Sequence, residues 1–103
     1  MSDGDAVGKH ITEALGGSFV APLSHEERVE VERVTGFVEG VASCYYSLSA
    51  RETNPERRAA YEAEMRRHDD VSRRIDSMSA EERQEVLRTY PALLRRLQAE
   101  IDA

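Results

Sequence analysis

Val31, Val34, Val38, Val41, Tyr45 and Leu48 follow one another at alternating spacings of three and four. That is the period of an α-helix with one continuous apolar seam, and it does not suit the two-residue alternation of a half-buried strand. The seam holds its heptad register for about 18 residues, with Phe37 and Cys44 widening the apolar face. Its start is marked as well. Ser24 followed by Glu27 forms a capping-box pattern, in which the hydroxyl serves one orphan amide and the carboxylate another. The run ends near Arg51 to Thr53, which predicts a first helix over 25–51.

Asn54-Pro55 then supplies an N-cap residue and a proline at the first helical position, predicting a second helix over 55–76. Its apolar face is thin: Tyr61, Met65, His68, Val71, Ile75 and Met78. The outer face carries opposite charges four apart, at Glu62–Arg66, Arg66–Asp70, Asp69–Arg73 and Asp70–Arg74. Such pairs contribute about 0.2–0.5 kcal/mol each, so they support the helix without defining a site. Ser79 and Glu82 make a second capping box, and a third helix is predicted over 80–102. Its seam is Leu87, Tyr90, Leu94, Leu97 and Ile101, flanked by Val86 and Leu93. Pro91 removes the bond to the Leu87 carbonyl and crowds the preceding turn. A kink is expected there, or a short helix 80–89 followed by a new one from Pro91.

The fold class is therefore all-α: one domain at 24–103 behind an N-terminal arm at 1–23. Within the arm, Val7, Ile11, Ala14 and Leu15 fall at helical spacing and Gly16-Gly17 would stop a short helix. Ser18 to Leu23 reads as an extended apolar connection. The short linkers make consecutive helices antiparallel neighbours in a helical bundle. Helix 1 is too apolar and helix 2 too polar for an even three-way core. A homodimer pairing the two copies of helix 1 resolves that imbalance.

Composition excludes some functions. A formal net charge of −6 argues against non-specific nucleic-acid binding, which needs a basic footprint. Residues 1–53 hold nine Asp/Glu against four Lys/Arg, an acidity that on one face would favour a cationic partner. Cys44 is the single cysteine, so neither an intramolecular disulfide nor a cysteine metal cluster is available. No apolar run approaches the roughly 20 residues of a membrane span. The sequence Met1 to Leu15 lacks the basic and apolar regions of a signal peptide, which places the protein in the cytoplasm by expectation.

Two groups of residues could carry function. Gly36 and Gly40 stand four apart inside helix 1, with Ser43 and Ser47 continuing a small-residue stripe. Each glycine costs about 1 kcal/mol relative to alanine, so something should offset the pair. Close backbone packing is the simplest reason; a groove in which a ligand lies against bare backbone is the other. On helix 2, His68 lies on the apolar face with Glu64 one turn earlier, a pairing that can orient an imidazole and raise its basicity. Tyr45, Tyr46 and Tyr61 could line the same cavity, although a histidine at a core boundary accounts for the pattern equally. His25 has no second histidine or carboxylate at metal-ligand spacing, and no metal or cofactor is expected.

Thirteen of the fourteen basic residues are Arg, Lys9 being the exception. In size, helical make-up and this Arg-over-Lys bias the whole chain resembles the small helical maturation proteins of actinobacterial lanthipeptide clusters. It shares no diagnostic motif with them. Some of those proteins form a lysinoalanine cross-link, so the resemblance implies attack of a substrate Lys amine on a dehydroalanine. His68, Glu64 and Tyr45 would then be catalytic, and Gly36, Gly40, Tyr46 and Tyr61 would bind substrate in a groove at the dimer interface. That chemistry needs a deprotonated amine, a folded near-attack pose and excluded water, but no cofactor. Two other functions suit the residues: a non-catalytic interaction adaptor or regulator, and a small-molecule-binding self-resistance or sensor protein.

Overall fold

A computed structural model describes residues 22–103, so the helix expected around residues 7–15 lies outside the described residues. Three α-helices follow in order: α1 (His25–Arg51), α2 (Pro55–Arg73) and α3 (Ala80–Asp102), with a 3-10 turn, Ile75–Ser77, between the last two. No strand occurs among the described residues, and the fold is all-α.

The expected caps set the helix starts. Ser24 Oγ accepts from the Glu27 amide while Glu27 Oε1 accepts from the Ser24 amide, both at 3.1 Å. Asn54 Oδ1 accepts from the amides of Glu56 and Arg57, with Pro55 at the first helical position. Ser79 Oγ accepts from the Glu82 amide, which is one half of the second box.

One boundary differs from expectation. The second helix ends at Arg73 rather than residue 76, because Arg74 leaves helical geometry at φ −100° and ψ 1°. The tighter turn that follows tucks Ile75 and then Met78 into the core. The third helix has its expected bounds, Ala80 to Asp102, with Pro91 inside it, so of the two expected outcomes there the break after residue 89 does not occur. Buried Val86 on one side of the proline and Leu97 on the other hold the two halves against the same neighbour. The loss of one backbone bond is thus outweighed by continuous packing. The ion pairs on α2 also differ, forming three apart at Glu64–Arg67 and Asp70–Arg73 instead of four apart.

The packing is centred on α1, which contacts both α2 and α3, while α2 and α3 approach one another chiefly through side chains. Helix α2 runs antiparallel to α1, and α3 runs parallel to it. One apolar cluster joins Val34 and Val38 to Ile75, Met78 and Val86. A second joins Val41, Cys44, Tyr45 and Leu48 to Leu97. The α1 seam is consequently buried within the chain itself: Val34, Val38 and Val41 are fully enclosed.

Arginines pin both ends of the parallel α1–α3 pair. At the start, buried Arg83 donates to Glu30 at 2.8 Å and to the Met78 carbonyl at 3.0 Å, while Gln84 donates to the other Glu30 oxygen at 2.9 Å. At the far end, Arg51 donates to the carbonyls of Glu100 and Ile101, which the end of α3 would otherwise leave without intrahelical partners. Its charge also suits the negative end of both helix dipoles.

Candidate functional site

The structure divides the residues singled out by sequence into two groups on opposite sides of α1. His68, Glu64, Tyr45 and Tyr61 converge on the inner side. Gly36 and Tyr46 lie on the outer face of α1, with Gly40 at the edge where α3 begins to cover it.

His68 is the hub of the inner group. Helix α2 carries it on its apolar face, and packing leaves it only 1% exposed. Tyr45 from α1 stacks on the imidazole, with ring centroids 5.5 Å apart and planes 7° from parallel. Tyr90 from α3 meets the ring edge-on at 86°, its hydroxyl 2.8 Å from Nδ1. Tyr61 sits outside Tyr45, with centroids 6.3 Å apart. The ring Nε2 faces Glu64 Oε2 at 3.5 Å but has no hydrogen-bond partner. A carboxylate can only accept, so the proton on a neutral His68 belongs on Nε2. Nδ1 then accepts from the Tyr90 hydroxyl.

The electrostatics reverse the expected direction of basicity. Burial disfavours the imidazolium and, with Arg67 nearby, lowers the His68 pKa below its ordinary value; Glu64 pulls upward but less strongly. Burial likewise raises the phenol pKa of Tyr45, with Glu64 adding to it and Arg96 opposing. Tyr90 is raised by burial too, against the opposing pull of Arg67 and Arg74. All three rings are therefore neutral at neutral pH. The Cys44 thiol is buried and its pKa is pushed up, so it packs as a small hydrophobe.

Solvent reaches the cluster at its rim, at Tyr61 and at the Glu64 carboxylate, while the imidazole itself stays enclosed. An open groove of about 190 Å³ is lined by Leu48, Arg51, Glu52, Arg57, Tyr61, Glu100 and Ala103, but not by His68 or Tyr45. Among the described residues no three His, Cys, Asp or Glu side chains converge on a position suited to a metal.

On the outer face, Gly36 is exposed, and a Cβ added there would meet nothing within 4 Å. At Gly40 the added atom would lie 3.4 and 3.6 Å from the Leu94 methyls, an ordinary contact with a side chain and not with backbone. Neither glycine is therefore required by close backbone packing against the described residues. Tyr46 is 63% exposed and borders an open groove of about 250 Å³ between α1 and α2, lined also by Glu39, Ala42, Ser43, Met65 and Asp69.

Sequence reasoning placed Tyr90 on the α3 seam without giving its hydroxyl a partner. The signal was available: a buried tyrosine needs a hydrogen bond, and His68 is the histidine on an apolar face. Arg83 was missed as well. Glu27 and Glu30, one turn apart at the start of α1, offered the acids it pairs with. No helix among the described residues is long and apolar enough to cross a membrane. No protein-family model, curated protein or solved structure matches this chain.

Proposed function

We propose that this protein is a non-catalytic interaction module: a three-helix scaffold that presents the outer face of α1 and its borders to a partner. The observation that carries this reading is the enclosure of His68. A general base must reach its substrate's proton directly or through one water. Here the imidazole is 1% exposed, engaged by Tyr90 and covered by Tyr45. Its arrangement suits a side-chain tie between α2 and α3 at the level where their backbones stand apart.

The partner surface then falls on the outside. With the seam enclosed, a homodimer through α1 would use the stripe of Gly36, Ser43 and Ser47, all exposed. A small-residue face allows another helix to approach closely.

A second reading, lysinoalanine formation by a peptide-maturation enzyme, draws support from one observation: His68, Glu64, Tyr45 and Tyr61 do converge. It requires the packing around Nε2 to open beside Glu64 so that a substrate amine could reach the buried nitrogen.

Carbethoxylation of histidine followed by peptide mass spectrometry separates the two. Under native conditions His25, which is exposed, should be modified while His68 stays protected until the protein unfolds. Comparable modification of both would overturn the enclosure argument and favour the enzyme.

A further inference from the structure

An open groove of about 470 Å³ lies between α1 and α3 near the start of both helices, larger than the two grooves already described. Val29 of α1 and Leu87 of α3 give it an apolar centre, and Arg33 and Arg88 flank them. Three large apolar side chains stand exposed among the described residues. Two of them, Leu23 and Val29, lie in the stretch that enters and forms this end of α1. Burying such groups is favourable, so a patch of this kind calls for a cover.

The chain itself arrives at the same place. Residues 1–21 precede the described residues and join them at Pro22, two residues before the α1 cap. The adjoining sequence, Phe19-Val20-Ala21-Pro22-Leu23, is wholly apolar, and no charged residue occurs from Ala14 to Ser24 in a chain that is 33% charged. Proline disfavours helical backbone at the residue before it, which suits an extended strap. Reach is sufficient. Val29 lies five residues after Ser24, about 7.5 Å along the helix axis. Phe19 lies five residues before Ser24, and extended backbone carries it up to about 17 Å from the cap.

Two further points favour this occupant over a separate chain. The apolar centre is only two side chains wide, whereas stable association of separate proteins buries roughly 1,200 Å² or more. A segment tethered at the edge of the groove acts at an effective concentration on the order of millimolar, so a small contact is enough to seat it. The flanking arginines also suit an aromatic ring, because their stems pack against it and a guanidinium stacks on its face.

We infer that the groove between α1 and α3 is covered by the chain's own segment Ser18–Leu23, with the Phe19 ring seated between Val29 and Leu87. The seated strap closes the α3 border of the scaffold and leaves the stripe of Gly36, Ser43 and Ser47 uncovered. It does not depend on the role assigned to His68.

The test is a methyl nuclear Overhauser experiment on the full chain carrying ¹³C-labelled Val and Leu methyl groups. Cross-peaks should join the Phe19 ring protons to the methyls of Val29 and Leu87, and they should persist on dilution. Phe19→Ser identifies the ring signals by removing them. The same variant should shift the Val29 and Leu87 methyl resonances and leave those of Val41 and Leu97, deep in the core, in place. Absence of both cross-peaks in the parent protein would overturn the proposal, and that measurement needs no variant to fold. Cross-peaks seen only between differently labelled chains in a mixed sample would overturn it too, since a second copy would then be the occupant. So would shifts in Phe19→Ser that are as large at Val41 and Leu97 as at Val29 and Leu87.

Discussion

Gly36→Ala should stabilise the isolated protein by about 1 kcal/mol, the ordinary difference between glycine and alanine inside a helix. The residue sits well inside the 27-residue helix α1, away from the caps at Ser24 and Glu52. The new methyl group would have no atom within 4 Å, so neither a clash nor a packing gain alters the figure. Gly40→Ala should act in the same direction, because its methyl group would reach ordinary contact with Leu94. For a domain of this size, 1 kcal/mol corresponds to a rise in Tm of about 4–8 °C. Urea unfolding followed by circular dichroism would show a higher midpoint with an unchanged m-value. Running the experiment at two protein concentrations separates monomer stability from assembly. An unchanged or lowered midpoint for Gly36→Ala would refute the reasoning, for it would mean that something covers that face in solution. If the loss also depended on concentration, a second copy would be that cover. Gly36→Leu extends the test: loss of a dimer would assign the glycine to self-packing, and loss of partner binding alone would assign it to a groove.

Other expectations follow from the polar contacts. Tyr90→Phe removes the donor to His68 Nδ1 and should cost about 1–2 kcal/mol in urea unfolding, since a buried acceptor is left unmet. Arg83→Met leaves Glu30 with only its Gln84 hydrogen bond and frees the Met78 carbonyl; with Glu30 partly solvated, a loss of about 2 kcal/mol is expected, and it should shrink in Glu30→Gln. Because folding lowers the His68 pKa, the unfolded chain takes up the proton first as pH falls. The stability that neutral His68 contributes is therefore complete above about pH 6.5 and declines as pH drops from there through the folded value. The slope for this one group is at most about 1.4 kcal/mol per pH unit, and His68→Gln should remove it from a plot of stability against pH between about 7.5 and 5. Ser24→Ala should cost about 1 kcal/mol through loss of the capping box at α1.

The helices were legible because their signals are local. A heptad seam, a serine or asparagine cap and a proline at the first turn each act within a few residues, so Ser24, Asn54 and Ser79 mark the starts of α1, α2 and α3 in both sequence and structure. At Pro91 the sequence left a break open as one alternative, because the proline's cost is local whereas what keeps the helix continuous is tertiary, through Val86 and Leu97 on either side. The site was legible only in part. Helical period places His68, Glu64, Met65 and Tyr61 on related faces of α2, but it cannot say which of the adjacent Tyr45 and Tyr46 is buried in the packing. One step along a helix turns a side chain by about 100°, enough to send Tyr45 to the imidazole and Tyr46 to solvent. The direction of the His68 shift was hidden for a similar reason. Glu64 is visible in the sequence, while the burial that outweighs it comes from α1 and α3.

The claim that matters most is that His68 is an enclosed structural tie. Long-range ¹H–¹⁵N spectra of its ring nitrogens across a pH series test it most directly. The account predicts a single neutral tautomer protonated on Nε2, retained at neutral pH and protonated only below the ordinary histidine value, with the transition displaced in Tyr90→Phe. An imidazole that titrates at or above about pH 6.5, with averaged tautomers and no response to Tyr90→Phe, would contradict it and return His68 to the role of an accessible base.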